Sequence, residues 1–418
     1  PETEFYHFVL PHRVNNENLD TARKFFFNQL KDRLQGMSML DAALEVNHWC
    51  HEHVAYRAAD ERTSSPLATY KNGYGRCGEE STFTVTALRS VGIPARQVYT
   101  PRWAHTDDNH AWVEFWADGK WYYYGACEPE AVANLGWFTE PARRAMLVNT
   151  RVVGKYSGNE RILKEEEHFA ILNTLNVYAE TKEIFVQVSN VNGKAIEDVQ
   201  IEYLLYNYAE FYPIAKKTTD KNGQSSFVSG LGDIIVWASK DGNFAFKKIS
   251  IKDTDTLNLV LGMEDKELGF MEFDIHPPVA QKPLEVPQGK KAENKKRLAY
   301  EDSLRALYET TFITEEATDR LAQENEISSE NLWIIIQKAR ANWDEIEKFI
   351  WQAPKDKKHL ALELLNVLNE KDLRDAKAEI LLDHLNNADI YEANDYISEK
   401  DYYSFILRPR VRFEMLVS

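Results

Sequence analysis

An α+β architecture in three successive parts is predicted by three changes of pattern along the 418 residues. Apolar spacing is helical up to Val91 and then alternates residue by residue from Ala111 to Tyr124, so helices feed a sheet. From about residue 168 to 262 the chain reads as short β-branched and aromatic runs punctuated by Asn192-Gly193, Asn222-Gly223 and Asp241-Gly242. From about Ala292 onward the apolar stripes are helical again. The expected division is a mixed region over 1–165, an antiparallel β-sandwich over 168–262, a linker over 263–291 and a helical bundle over 292–418.

Composition sets the outer bounds. Apolar residues at 44% and charged residues at 28% are the balance of an ordinary globular protein. No stretch approaches the roughly 20 consecutive apolar residues of a spanning helix, so no transmembrane segment is expected. A net charge of -16 repels phosphate-rich partners, which disfavours nucleic acid. Three cysteines are too few for a disulfide scaffold. The chain starts on Pro1 and ends on the apolar run Phe413 to Ser418, and both ends read as cuts in a longer protein.

Within the first region Asp20 can cap a helix carrying Phe25, Phe26, Leu30 and Leu34. Ser38 can cap a second, with Leu40, Ala43, Leu44, Val46, Trp49 and Cys50 at helical spacing. A third holds Phe83, Ala87, Leu88 and Val91, ends at Gly92 and is stopped by Pro94. A hairpin then pairs Ala111 to Trp116 with Trp121 to Tyr124 across Asp118-Gly119. Six or seven strands are expected in the β region, among them 184–188, 199–205, 224–228, 234–238, 244–251 and 257–261. Pro277, Pro278, Pro283 and Pro287 mark an extended strap. Five or six short helices follow, with start signals at Thr314 and Pro354.

The chemistry concentrates in Gly73-Tyr74-Gly75-Arg76-Cys77-Gly78-Glu79-Glu80-Ser81. Glycines on both sides let the backbone turn sharply into a helix with Cys77 in its first turn. Free N–H groups and the helix dipole would favour a thiolate there and could hold an oxyanion. His110, at the start of the hairpin, is available as the base. Taken singly, a Gly-x-Cys string is more often a buried turn and a strand histidine more often structural. Cys50-His51-Glu52-His53 has metal-ligand residue types, but consecutive helical positions point about 100° apart and diverge. His105, Asp107, Asp108 and His110 read as loop polarity before a strand, and Cys127 as a buried neighbour. Neither a metal nor another cofactor is called for.

The ordered set resembles the transglutaminase-like superfamily of papain-type cysteine enzymes. The matching elements are Gly75-Arg76-Cys77-Gly78-Glu79, then Ala87 to Arg96 with Gly92-Ile93-Pro94-Ala95-Arg96, then His110-Ala111-Trp112-Val113-Glu114 and Trp121. The Gly-Arg-Cys-Gly-Glu string is especially similar to the peptide:N-glycanase branch. The resemblance implies a papain/transglutaminase-like catalytic domain in which Cys77 is the nucleophile and His110 the base. It also implies an aspartate, usually followed by proline, that orients the histidine. That position falls on Gly125 here, and the acid-proline pair Glu128-Pro129 comes three residues later. Strand parity puts 125 and 128 on opposite faces, so Glu128 reaches the histidine only through a bulge or bend. Glu128 is the expected third member; a backbone or amide orienter and a dead site are the alternatives.

The activity implied is cysteine-dependent acyl transfer on amide bonds through a thioester, most simply hydrolysis of a peptide, glycopeptide or side-chain amide. Protein cross-linking, or a non-catalytic binding scaffold, would use the same fold. The β-sandwich, immunoglobulin-like or carboxypeptidase-regulatory-like in pattern, is expected to be a spacer rather than a sugar binder. The modular plan leans toward an exported bacterial protein.

Overall fold

The computed structural model describes residues 2–58, 60–262, 272, 274–282, 284–388 and 397–408. Helices α1 (Glu2–Phe8), α2 (Ala22–Leu30) and α3 (Met39–His53) come first. Strand β1 (Ala55–Tyr56), helix α4 (Pro66–Asn72) and strand β2 (Tyr74–Gly75) lead into α5 (Cys77–Ser90). Ser38 caps α3 by accepting from the Asp41 N–H, and Asp20 accepts from the Ala22 N–H at the start of α2, as their side-chain chemistry requires. Helix α4 had no apolar stripe to announce it; Ser65 caps it, and Gly73 in the left-handed region ends it.

Strands β3 (Ala95–Thr100), β4 (His110–Ala117) and β5 (Lys120–Tyr124) follow, with α6 (Thr139–Arg143) and then β6 (Asn149–Val153), β7 (Arg161–Glu165) and β8 (Phe169–Asn173). They form one antiparallel sheet in the order β5-β4-β3-β6-β8-β7. Helix α5 is buried from Gly78 to Arg89 and lies on one face of this sheet, where Phe83, Val85 and Leu88 pack with Val113, Phe115, Phe26 and Trp49. The opposite face buries Trp112, Phe138 and Tyr178.

The sheet runs past the boundary expected at residue 165. Strand β8 lies beyond it, and the Tyr178 hydroxyl accepts from Trp112 Nε1 (2.8 Å) and donates to Glu114 Oε1 (2.5 Å). The five-residue strands β6, inside the sheet, and β7, at its edge, are short and carry charged and polar residues, which hid their period.

Strands β9 (Thr181–Asn190), β10 (Gln200–Asn207), β11 (Glu210–Thr218), β12 (Gln224–Gly230), β13 (Asp233–Lys240), β14 (Asn243–Ser250) and β15 (Thr256–Leu261) build two further sheets. Their orders are β11-β10-β13-β14 and β12-β9-β15, and both contribute to one core around Val186, Tyr203, Phe227 and Val236. All pairings are antiparallel except β15 with β9, which is parallel and departs from the all-antiparallel expectation. Strand β11 was not foreseen because Pro213 interrupts it; it is an edge strand, and its register shifts opposite Leu204. On the outer face Trp237 stacks on Phe244 and Phe246, so the rings cover one another's faces.

The segment around Pro277 and Pro278 straps the parts together: the Asp233 N–H donates to His276 O and Arg144 to Pro278 O. Pro283 and the terminal run 413–418 lie outside the described residues. Helix α7 (Gln288–Glu309) begins within the expected linker, and α8 (Glu315–Glu324), α9 (Ser329–Ala339), α10 (Trp343–Gln352), α11 (Lys358–Val367), α12 (Glu370–Asp375) and α13 (Ala378–Ala388) follow. Helix α7 docks on α3, where buried Glu301 meets His48 Nδ1 (2.8 Å) and His51 Nδ1 (2.9 Å). No helix among the described residues is long and apolar enough to cross a membrane.

One ion pair anchors the central strands. Arg96 and Glu114 are both fully buried, 2.6 Å apart on adjacent strands, and Glu160 adds a second carboxylate to Arg96 at 2.7 Å. Arg96→Met leaves Glu114 without its charge partner, and a loss of about 3–5 kcal/mol is expected by chemical denaturation. A loss under about 1 kcal/mol would show that this pair does not hold the sheet.

Candidate functional site

Cys77 is the first residue of α5, and the string around it is shaped by close approaches. A Cβ on Gly75 would stand 2.6 Å from the Glu79 Cβ, and one on Gly78 would stand 2.8 Å from the Arg76 guanidinium. Glu79 Oε2 accepts from the Arg76 N–H (3.0 Å), closing the first turn, while the Arg76 guanidinium donates to Asp60 O, Glu61 O and Thr63 Oγ1. Each residue of the motif therefore has a mechanical task.

The backbone N–H of Ala111, the residue after His110 on β4, approaches the sulfur and favours its charged form. Cys77 and His110 line one cleft of about 1100 Å³, together with Tyr56, Glu80, Gln97, Tyr99, Glu128 and Trp137. No hydrogen bond joins Cys77 to His110. Burial pushes the Cys77 thiol up from its ordinary range, and burial lowers His110 to about 4. Both groups rest neutral at pH 7. Loss of water around the sulfur outweighs the Ala111 N–H and the Arg76 charge, so the thiol is raised rather than lowered as a helix start alone would have it.

His110 is 8% exposed and sits in an aromatic box. Its ring centroid lies 4.7 Å from Trp137, 5.0 Å from Phe138 and 5.6 Å from Trp112. Its Nε2 is buried and has no partner. The loop leading into it is held from the two-sheet region. Asn207, buried at the β10–β11 turn, donates to Trp103 O (2.9 Å) and Thr106 O (2.8 Å), and the Tyr208 N–H donates to Asp107 Oδ1 (2.6 Å). Tyr208 and Ala209 both have positive φ in that turn, a conformation that non-glycine residues adopt at a cost.

The chain bends at Gly125 as Glu128 requires. Cys127 is in the left-handed region (φ 57), and the Glu128 N–H donates to Gly125 O (3.2 Å). Asn47 of α3 fastens the bend, donating to Gly125 O (2.9 Å) and accepting from the Cys127 N–H (3.0 Å). The Glu128 carboxyl folds over Gly125, where a Cβ would lie 2.6 Å from its Oε2, and accepts from Trp137 Nε1 (3.1 Å). Trp137 thus touches both the carboxyl and the imidazole, although no hydrogen bond links Glu128 to His110. Burial raises the Glu128 carboxyl, with Glu130 adding to it.

Glu80, one turn along α5 from Cys77, was not singled out beforehand. It is 3% exposed, its Oε1 has no partner, and burial raises it well above the usual carboxylate range, with Cys127 and Glu128 contributing. Asn47 and Asn207 were missed as well, since only the folded chain brings them to the site. The other candidates disperse: His51 goes to Glu301, Glu52 to Arg33, and Asp107 to the Tyr208 N–H. Cys50 and Cys127 are buried free thiols. Among the described residues no group of three or more such side chains could hold a metal ion.

Residues 28–126, which carry α5 and the β3–β5 hairpin region, match the transglutaminase-like superfamily. No curated protein matches the chain. Among solved structures, similarity is found to a candidate cysteine protease from Cytophaga hutchinsonii, at 13% identity over 62% of this chain and 61% of that one, with a TM-score of 0.22. The red sea bream transglutaminase is similar at 9% identity over 63% of each chain, with a TM-score of 0.29. A streptococcal ancillary pilin matches at 8% identity over 40% of this chain and 61% of that one, with a TM-score of 0.17. The chain spans about three-fifths of the length of these structures, and scores this low carry no argument about chemistry.

A neutral resting pair has a direct signature. Alkylation of Cys77 by iodoacetamide in the free protein is expected to keep rising above about pH 9, because the thiol ionises late and His110 offers no positive charge at neutral pH. A rate already level by about pH 7 would contradict this.

Proposed function

We propose that the protein is a cysteine hydrolase that cleaves peptide, glycopeptide or side-chain amides through a thioester on Cys77. The observation that carries this reading is the Cys77 sulfur resting on the Ala111 N–H, with the His110 ring on the same strand and in the same cleft. His110, neutral and buried, accepts the thiol proton as the sulfur attacks the amide carbon, so the ion pair forms during the reaction rather than before it. The first backbone N–H groups of α5 have no intrahelical acceptor and are available to the carbonyl oxygen as it becomes an oxyanion. His110 then returns the proton to the leaving amine, and water attacks the thioester.

Water is favoured as the acceptor because the cleft is wide and largely polar, lined by Asn15, Asn16, Gln97, Asn109, Asn149 and Thr150. Cross-linking to an amine would require water to be kept from the thioester, and a cleft of about 1100 Å³ with this polar lining does not do so. Glu128 is the proposed orienting acid: as His110 becomes positive, its partnerless Nε2 needs a nearby carboxylate, and Glu128 stands behind Trp137 at the end of the pinned bend. An exported bacterial setting is part of the same proposal.

Turnover should be measured on matched peptide and glycopeptide libraries. Cys77→Ala is expected to abolish it, and Glu128→Gln to lower it by on the order of a hundredfold or more. Turnover unchanged in Cys77→Ala would exclude this mechanism, and full turnover in Glu128→Gln would remove Glu128 from it.

A further inference from the structure

Helix α12 reaches across the chain to the turn that carries the nucleophile. Its Lys371, 8% exposed, places Nζ 2.8 Å from Glu79 Oε1 and donates to Ser64 Oγ. Glu79 is 1% exposed, and its other oxygen already holds the Arg76 N–H at the start of α5. Next to Lys371, Asp372 takes Arg62 at 2.7 Å and Asp375 accepts from Ser64 Oγ at 2.9 Å. The short α12 is therefore locked onto residues 62–64 and, through Lys371, onto the residue two places after Cys77.

We propose that Lys371 is a positioning residue for Cys77, a part of the reacting centre supplied by the C-terminal helical region through Glu79. The physical reason is a charge that cannot be left alone. A buried carboxylate is tolerated only when paired. The Glu79 carboxylate accepts from the Arg76 N–H and pairs with Lys371, and its negative charge opposes ionisation of the neighbouring thiol. Lys371 cancels that charge without touching the sulfur. The turn keeps its carboxylate clasp, and the thiol is relieved of the field the clasp would impose.

The other charged or titratable groups facing Cys77 come from several elements: Arg76 and Glu80 at its own helix start, Tyr56 on β1, Tyr99 on β3 and His110 on β4. None of them pairs with Glu79 except Arg76, whose Nε stands farther off at 3.4 Å and whose guanidinium is committed to Asp60 O and Glu61 O. Lys371 is the close cation of this carboxylate.

The test is the pH dependence of Cys77 alkylation by iodoacetamide in the full chain, read by peptide mass mapping, with Cys50 and Cys127 as buried references. Lys371→Met is expected to move the midpoint up by about half a pH unit or more, and Glu79→Gln to move it down. Lys371→Arg should stay with the unsubstituted protein. A merely structural contact would loosen the turn in both variants and shift them in the same direction. Shifts of the same sign, no shift in either, or Lys371→Arg behaving as Lys371→Met would overturn the proposal. If Lys371→Met does not fold, Glu79→Gln decides alone: a downward midpoint supports the proposal, and an unchanged or upward one overturns it. The inference rests on Cys77 being the reacting thiol, but alkylation needs no turnover. A protein that shows these shifts yet cleaves nothing would refute the hydrolase reading and leave this one standing.

Discussion

The approach of the Ala111 N–H to the Cys77 sulfur is the constraint the rest depends on, because it sets the start of α5 against β4, the strand that also carries His110. Neither side of that contact stabilises itself. Helix α5 is buried almost throughout and gains its position from the Phe83, Val85 and Leu88 packing beneath it. Strand β4 gains its position from the Arg96–Glu114 pair and from Trp112, whose indole is tied to Tyr178. A shift of either element would move Cys77 and His110 apart within their common cleft, and in the hydrolase account such misplacement is costly.

The same burial that fixes the pair also keeps it neutral. His110 has an unpartnered Nε2, and Glu80 an unpartnered Oε1, in a protein whose other polar groups are mostly satisfied. Both line the cleft, and each unsatisfied group there is a cost to folding that packing elsewhere must offset. In the hydrolase account that cost has a use: an imidazole starved of water is a base, and a nearby carboxyl becomes valuable only once the ring is charged. The later parts of the chain brace both flanks, the β10–β11 turn through Asn207 on the His110 side and α12 on the Cys77 side. The two-sheet region thus touches the loop before His110, and on its outer face Trp237 is stacked on Phe244 and Phe246.

What could be read in advance was whatever depends on near neighbours. The Gly75-Arg76-Cys77-Gly78-Glu79 turn, the Ser38 cap and the Asp118-Gly119 hairpin are local chemistry, and each stands where its residues put it. The need for a bend before Glu128 was legible from strand parity alone. Its means was not: Asn47 lies 78 residues from Gly125, and nothing in its own surroundings announces that it clasps a turn. Glu80, Asn207 and Lys371 were hidden for the same reason, since a polar residue reads as solvated until the fold shows what covers it. Strands β6, β7 and β11 were lost to short length, polar residues and Pro213, features that suppress the alternating apolar pattern.

The most direct measurement is mass mapping of the full chain after brief incubation with a peptide and glycopeptide mixture and quenching in acid. The account predicts an acyl mass on the Cys77 peptide alone, released by hydroxylamine as a thioester would be. Acylation absent from Cys77, or spread equally over Cys50 and Cys127, would contradict it.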